Sequence, residues 1–441
     1  MFSNQDLKRL IWPLMLEQLL SVSIGMADTL MVARLGETAV SGISLVNAIN
    51  ILLLNLFAAL ATGGAVVASQ YLGRRENANA RVAAKQLVLC TLALSVGIMF
   101  ISLVSYKGML RFIFGAVEPQ VMQNAEVYFI ISACSYPFIA LYNAGAALFR
   151  AMGNSRVSLQ NAFIMNVCNI GGNAILIFGF GLGVAGAAYA SLISRAVGAV
   201  VILYMLKNNG NTIWIDSYLR IKPHKEIIKS ILRIGVPNGL ENSMFQCGKL
   251  ILQGLIAGFG TVAIAADAVA GNFASIEVMP AAAIGLALVT VAGRCTGAEN
   301  YEEVRRYTKK LLALSYAFML GINVVIILFC RPLTDIYHLS PETQTLAIQM
   351  LLCHGIGGVF IWPLSFTLPN GLRAAGDAKF TMWVSIFSMW LFRILGGFVL
   401  SNYCGFGAVG VWVAMLIDWA VRSTCFVIRF KGTKWQNKRV V

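Results

Sequence analysis

The amino-acid sequence predicts an all-α polytopic membrane protein with twelve transmembrane helices in two six-helix bundles. Three observations predict this fold class: an apolar and charge-poor composition, twelve apolar runs separated by short polar turns, and an internal repeat. Of the 441 residues, 58% are hydrophobic and only 12% are charged, and the mean hydropathy is +0.74. Soluble domains carry roughly 25% charged residues, so this composition argues against a soluble globular enzyme.

The apolar runs are long enough to cross a bilayer, which takes about 20 apolar residues for each helix. They lie at 10–33, 40–72, 86–106, 126–149, 157–179, 184–206, 231–259, 263–293, 310–330, 343–372, 380–400 and 406–428. The first run contains Glu17, Gln18 and Asp28 and lacks a small-residue cleavage site, so it predicts a first span and not a cleavable signal peptide.

The longest polar stretch between runs divides the twelve into six plus six. The predicted organisation is an N-terminal six-helix bundle at 1–206, a cytoplasmic linker at 207–230, a C-terminal six-helix bundle at 231–430 and a basic cytoplasmic tail at 431–441.

The positions of the charges explain the net charge of +15, which arises from 34 Lys and Arg against 19 Asp and Glu. A basic chain suits nucleic-acid binding or the positive-inside bias of a membrane protein. With the N-terminus inside, 27 of the 34 basic residues fall on the inner side, including clusters at 74–85, 222–233, 305–310 and 431–439. This alternation predicts no nucleic-acid partner, and it predicts that both termini are cytoplasmic.

No pattern in the chain predicts a cofactor. The nine Cys show no paired spacing and are expected to be reduced packing residues. The sequence has no phosphate-binding loop of the G-x-x-x-x-G-K-S/T type and no metal or triad spacing. We therefore expect no enzyme and no activity driven by ATP.

A repeat at a nearly constant separation is the strongest sequence signal. Pro13-x-x-x-Glu17 matches Pro237-x-x-x-Glu241 at an offset of 224. Arg150-Ala-Met-Gly-Asn matches Arg373-Ala-Ala-Gly-Asp at 223. Because six spans is an even number, the halves are parallel repeats about an axis along the membrane normal. Transporters built from parallel repeats place their binding sites between the two halves. A channel is the weaker alternative, because the sequence shows neither a repeated filter-like loop nor a ring of charge.

These motifs resemble the multidrug and toxic compound extrusion (MATE) family of cation-coupled antiporters over essentially the whole chain. The resemblance rests on the stretch from Pro13 to Gly36, on the two Arg-Ala-x-Gly-Asn/Asp turns, and on Asn169-x-x-x-Asn173 followed by Phe178-Gly179. It implies a bacterial-type inner-membrane exporter whose two bundles surround a central V-shaped cavity. It also implies exchange of H⁺ or Na⁺ for organic, often cationic, compounds.

Ionisable residues inside spans are candidate functional groups, because each costs about 2.5–3.5 kcal/mol on insertion scales. Asp28 and Glu17 share a helix face about 16 Å apart, and the resemblance places Asp28 at the family's acid in span one. Asn169 and Asn173 share a face of span five, where some family members carry an acid at the second position. We predict these four residues as the coupling-ion site, with protons favoured by the missing acid. The alternatives are a solvated acid at Asp28, a hydrogen bond at a kink for Glu17, and interhelical packing for the amides.

The substrate-cavity candidates in the second half are Glu241, Glu277, Lys249 and His354. The alternative is a buried network of either acid with Lys249, and a packing role for the histidine. Four other charged residues are expected to be structural. Arg195, and Arg393 together with Asp418, are expected to form ion pairs or to lie at the membrane interface. Asp267 is expected to cap a helix.

The predicted function is a secondary active antiporter that exports small organic, cationic or amphipathic molecules. Its expected partners are its substrates, H⁺ or Na⁺ and the lipid bilayer, and a monomer suffices. The first alternative is a flippase for lipid-linked oligosaccharides or lipids of the same superfamily, which would line its cavity with several cationic side chains. A membrane scaffold or sensor and an intramembrane enzyme are further alternatives, but the chain shows neither a signalling domain nor a nucleophile–base pair.

Overall fold

The structure is a computed structural model that describes residues 1–115, 117–218 and 220–441, apart from the side chain of Met26. Helices account for most of these residues, and no strand occurs within these ranges. The predicted all-helical class is confirmed.

Residues 2–239 and 240–440 form two compact units, and the boundary between them falls inside one long helix, α8 (Lys225–Ala257). The other helices of the first unit are α1 (Asn4–Ala33), α2 (Glu37–Gly73), α3 (Asn77–Phe114), α4 (Pro119–Cys134), α5 (Tyr136–Ala151), α6 (Ser155–Asn173) and α7 (Gly183–Leu206).

The second unit continues from α8 through eight further α-helices. These are α9 (Thr261–Gly297), α10 (Tyr301–Leu328), α11 (Cys330–Asp335), α12 (Pro341–Trp362), α13 (Leu368–Ala374), α14 (Ala378–Ser388), α15 (Gly396–Asn402) and α16 (Val409–Lys431). Three π-helical segments continue α6, α12 and α14, at Ala174–Gly179, Pro363–Thr367 and Met389–Leu395.

Ten helical segments of the described chain are long and apolar enough to cross a membrane, and α4 and α5, bent by 46°, make an eleventh if they form one span. The remaining apolar run, 231–259, coincides with most of α8, whose hydropathy is reduced by polar residues such as Glu241 and Lys249. Twelve spans are compatible with these helices, and the exact number stays a prediction.

Local sequence explains how several helices begin and bend. Ser3 caps α1 in a capping box with Asp6. Gly36 and Gly260 precede α2 and α9 at φ of 98° and 92°, a backbone region that other residues rarely adopt. Pro13 lies inside α1, where it removes one intrahelical hydrogen bond and favours a kink.

Each unit has its own apolar core. In the first unit, Val46, Leu110 and Phe129 are fully buried among α2, α3 and α4. In the second unit, the core includes Met319 and Met350, both without exposed surface. In the first unit α6 packs against α1 and α7, and in the second α9 packs against α10 and α12.

The polar stretch after α7 is held against α3 of the first unit. Lys85 Nζ lies 2.5 Å from Asp216 Oδ1, and the Gln86 amide donates to the Lys222 carbonyl at 2.9 Å. The His224 N–H donates back to Gln86 at 3.0 Å. The hydrogen bond from Lys85 holds the pKa of Asp216 below its ordinary value. The predicted domain limits at 206 and 231 stay predictions.

Candidate functional site

Three of the four predicted coupling residues meet inside the first unit. Asn173 Nδ2 donates to Asp28 Oδ1 at 2.6 Å and lies 3.4 Å from Asn169 Oδ1. Asn169 Nδ2 donates in turn to Ser191 Oγ on α7 at 3.3 Å. The helical period brings Asn169 and Asn173 to one face of α6, and both are buried. We call Asp28, Asn169 and Asn173 the Asp28 cluster.

The helices around the Asp28 cluster are tied together by polar contacts. On α6, Ser155 Oγ donates to the Leu10 carbonyl of α1 at 2.7 Å. Arg195 is close enough to attract Asp28 electrostatically, and its Nη1 donates to Ser135 Oγ at 2.6 Å. Its hydrogen-bond partner is therefore a hydroxyl at the bend between α4 and α5.

The Asp28 cluster has the chemistry to hold a proton or a small cation. Asp28 supplies a carboxylate, and the amides of Asn169 and Asn173 supply carbonyl oxygens. Asn173 Oδ1 is buried and has no hydrogen-bond partner in the described part of the chain. Because buried polar atoms are nearly always satisfied, this oxygen is an acceptor available to a proton donor or a cation beside Asp28.

Glu17, the fourth predicted coupling residue, pairs with another group. Its Oε1 lies 3.6 Å from Arg150 Nη1, at the end of α5, and Tyr142 hydrogen-bonds to it. Both side chains of the ion pair are mostly buried. This contact joins the middle of α1 to the Arg-Ala-x-Gly-Asn turn.

The second unit contains the equivalent contact. Glu241 Oε1 accepts from Arg373 Nη2 at 2.6 Å and lies 3.7 Å from Arg422 Nη2. Neither arginine partner is among the residues predicted from the sequence. A signal was present, since a glutamate and an arginine recur together in the two repeats at nearly the same offset.

The alternative prediction, an ion pair of Lys249 with Glu241 or Glu277, is wrong, because both acids pair with other residues. Glu277 Oε2 lies 2.8 Å from His354 Nδ1, and both side chains are almost completely buried. Lys249 follows Glu241 by eight residues, which turns it about 80° away around α8. Arg373 approaches Glu241 from α13 instead.

A cavity of about 520 Å³ lies within the second unit. Lys249 and His354 line it, Glu277 lies behind His354, and Glu241 is not among the lining residues. Five aromatic rings form part of its wall, those of Phe245, Trp362, Phe366, Trp412 and Trp419. Arg393 and Asp267 also line it.

Asp267 contributes a carboxylate to this cavity and does not cap a helix. The predicted cap is wrong because α9 begins at Thr261, so Asp267 lies in its second turn. Its Oδ1 accepts from the Trp412 indole N–H at 2.9 Å. The expected pairing of Arg393 with Asp418 is confirmed, at 3.9 Å between Nη1 and Oδ2.

Comparison with known proteins agrees with these features. The MatE family model matches twice, at residues 13–175 and 237–399, which are the two sequence repeats. The chain is 28% identical to the probable multidrug resistance protein NorM of Thermotoga maritima, over 99% of this chain and 94% of that protein.

Solved structures show the same fold. Crystal structures of MATE in the bent and the straight conformation are each 21% identical and cover 97% of this chain. They match with TM-scores of 0.89 and 0.90, over 94% and 95% of their own chains. Since the family model covers most of both halves, this chain belongs to the MATE family of multidrug efflux transporters and is a multi-pass membrane protein.

Proposed function

We propose that this transporter is a secondary active antiporter that exports organic, cationic or amphipathic compounds in exchange for H⁺ or Na⁺. The observation that supports this most directly is the 2.6 Å hydrogen bond between Asn173 and Asp28 beside a buried, unpartnered amide oxygen. A single carboxylate with two amides favours a proton over Na⁺, since the cluster offers one full negative charge.

Protonation of Asp28 would change its contacts directly. The carboxylate accepts a hydrogen bond from Asn173 Nδ2, whereas the protonated acid becomes a donor. Asn173 Oδ1 is then a suitable acceptor, which requires the two side chains to rearrange.

α1 is a helix that can respond to such a rearrangement. It contains Pro13, and the hydroxyls of Ser23 and Thr29 donate to carbonyls four residues earlier, at 3.0 and 2.8 Å. Both features favour bending of a helix. The charge of Asp28 would therefore bias α1 between two shapes and change the space beside it.

The ion gradient can supply the energy for this exchange. One charge that crosses a potential of 100 mV supplies about 2.3 kcal/mol, which corresponds to roughly a 50-fold concentration ratio. The distribution of Lys and Arg supports a bacterial-type inner-membrane protein with both termini in the cytoplasm. We propose that a monomer suffices for transport.

Transport by purified protein in liposomes tests the proposal. An ethidium-like dye is followed after a pH jump and, separately, after a sodium jump. We expect one ion to drive uphill dye movement, and we expect Asp28→Asn to abolish it. Glu37→Gln, which removes an exposed acid at the start of α2, is the matched control and should transport normally. Uphill export by Asp28→Asn would refute the role of Asp28.

A flippase for lipid-linked substrates is the second candidate function. Lys249 and Arg393 both line the cavity of the second unit, and cationic side chains suit a phosphate-bearing substrate. Folded protein that moves no dye with either ion, but moves a fluorescent lipid phosphate across the bilayer, would favour this function.

A further inference from the structure

We infer that the cavity of the second unit binds the anionic group of an amphipathic organic molecule, held by Lys249 and Arg393. This inference rests on the proposed transport function and names the chemistry of the substrate's head group. It adds an anionic group to the cationic or amphipathic character that the sequence predicts for the substrate.

Arg393 is a buried cation with incomplete compensation. Only 7% of the residue is exposed, yet it lines the cavity. Its ion partner, Asp418 Oδ2, lies at 3.9 Å, which is too far for a hydrogen bond. The Nε and Nη1 atoms have no hydrogen-bond partner within the described ranges. A buried charge is costly unless its hydrogen bonds are satisfied, so an anion near Arg393 would be stabilised.

Lys249 adds a second positive charge to the same cavity. Its side chain is accessible, and no carboxylate lies within 4 Å of its Nζ in the part of the chain that the structure describes. The Phe245 ring lies near both cations, 5.9 Å from Lys249 Nζ and 5.4 Å from Arg393 Cζ. Lys249 and Arg393 repel each other, and an anion between them would remove that repulsion.

The acids nearby do not balance these cations. Glu241 is occupied by Arg373 at 2.6 Å, and Asp418 attracts both Arg422 and Arg393. Asp267 attracts both Lys249 and Arg393 and also accepts from the Trp412 indole N–H. Among the Lys, Arg, Asp and Glu side chains that line the cavity there are two cations and a single carboxylate, which leaves one positive charge in excess.

The aromatic residues that line the cavity indicate which chemical groups suit the apolar part of the ligand. Trp362 stacks on Phe366 at 4.8 Å between ring centroids, and Trp419 meets Phe366 edge-on at 5.5 Å. These rings offer apolar surface to an aromatic or aliphatic body. A cavity of about 520 Å³ falls in the usual range of about 300–1,000 Å³ for small-molecule sites. The ligand class is therefore an apolar body with a carboxylate, sulfonate or phosphate, including a lipid phosphate.

Equilibrium dialysis of purified protein in a neutral detergent tests the site without any ion gradient. The probes are a naphthalenesulfonate and the cation naphthylmethylammonium, which present the same ring with opposite charge. We expect the sulfonate to bind more tightly to the wild-type protein. Lys249→Gln should weaken sulfonate binding about tenfold, as loss of a charged hydrogen bond does, and Lys249→Arg should retain it.

Two controls keep the result interpretable. Lys107→Gln removes a lysine that lies over Tyr106 in the first unit, 5.8 Å from its ring, and should bind both probes as the wild type does. Arg393→Lys keeps the charge beside Asp418 and should weaken sulfonate binding if the variant retains the wild-type melting temperature. Unchanged sulfonate affinity in a folded Lys249→Gln variant, or a wild-type preference for the cation, would overturn the inference.

Further arms identify the source of the anion and separate this inference from antiport. If dioctanoyl phosphatidic acid displaces the bound sulfonate and a soluble aromatic carboxylate does not, the natural ligand is a lipid head group. If only the carboxylate displaces the sulfonate, the natural ligand is a soluble anion. Failure of both to compete overturns the inference. If Asp28→Asn still transports uphill while Lys249→Gln loses the sulfonate, the antiport proposal fails and the anion site stands. If the wild-type protein transports dye in response to an ion gradient but does not bind the sulfonate, the antiport proposal stands and the anion site fails.

Discussion

Replacing Arg373 should destabilise the second unit more than the equivalent replacement destabilises the first. Arg373 Nη2 lies 2.6 Å from Glu241 Oε1, and the side chains are 10% and 6% exposed. Arg373→Gln removes this charge and leaves Glu241 with Arg422 at 3.7 Å as its remaining ion partner. Breaking a buried ion pair costs about 3–5 kcal/mol. Because Arg422 remains, we expect a loss near 3 kcal/mol in the free energy of unfolding.

The repeat supplies a matched control for this substitution. Arg150→Gln removes the equivalent residue of the first unit, whose Nη1 lies 3.6 Å from Glu17 Oε1. These side chains are more exposed, at 17% and 13%. At 3.6 Å this contact is too long for a good hydrogen bond, so removing one partner costs less than breaking the 2.6 Å pair, and we expect about 2 kcal/mol. The two variants should therefore differ by about 1 kcal/mol, although they change the same residue type in the same motif.

Denaturant titration in mixed micelles, followed by circular dichroism, measures both losses. The double variant Glu241→Gln/Arg373→Gln removes the uncompensated acid together with its partner. It should lose less stability than the two single variants added together, by about 1 kcal/mol or more. Equal losses for Arg373→Gln and Arg150→Gln, or simple additivity in the double variant, would refute the argument from burial and distance.

Two smaller predictions concern a glycine turn and the polar stretch after α7. Gly376 has φ of 97°, and a Cβ there would fall on the Lys438 carbonyl, whereas Gly36 has φ of 98° and open space around it. Gly376→Ala should therefore lower the melting temperature clearly more than Gly36→Ala, which meets only the backbone strain of about 1–2 kcal/mol. The lowered pKa of Asp216 means that its bond to Lys85 stabilises the linker above the ordinary pKa of aspartate. This stabilisation should be lost as the pH falls through the lowered pKa of Asp216. Amide hydrogen exchange of residues 207–218, corrected for its intrinsic pH dependence, should then accelerate in the wild type. In Asp216→Asn the corrected exchange rate should stay constant over the same pH range.

The helices were largely predictable because apolar runs and turn glycines mark them directly. The bend of 46° between α4 and α5 was not, since it falls inside the predicted run at 126–149. Ser135 lies at this bend, where its Oγ donates to the Ser132 carbonyl at 2.6 Å and accepts from Arg195. The π-helical segments were also missed, because an apolar run looks alike whether its hydrogen bonds span four residues or five.

The site was predictable where its residues lie close together in sequence. Asn169 and Asn173 share a helix face by period alone, and the family resemblance singled out Asp28. The arginine partners of Glu17 and Glu241 lie more than 130 residues away along the chain, so no local pattern joins them. Asp267 was placed wrongly because its role depends on where α9 begins, and helix boundaries are the least reliable feature of a sequence prediction.

The two repeats share their frame but differ in their sites. The glutamate on the first helix and the arginine before the glycine turn recur in both halves, and the structure joins them in both. At the offset of 224 that relates residues 13–175 to 237–399, Asn169 of the Asp28 cluster corresponds to Arg393 of the cavity. By the same offset, Lys249 corresponds to Gly25. The first unit therefore presents a carboxylate with neutral amides, and the second presents two cations at positions where the first has none. Corresponding positions of the duplicated frame thus differ in charge, which fits the proposed binding of the coupling cation in the first unit and the proposed binding of an anionic group in the second.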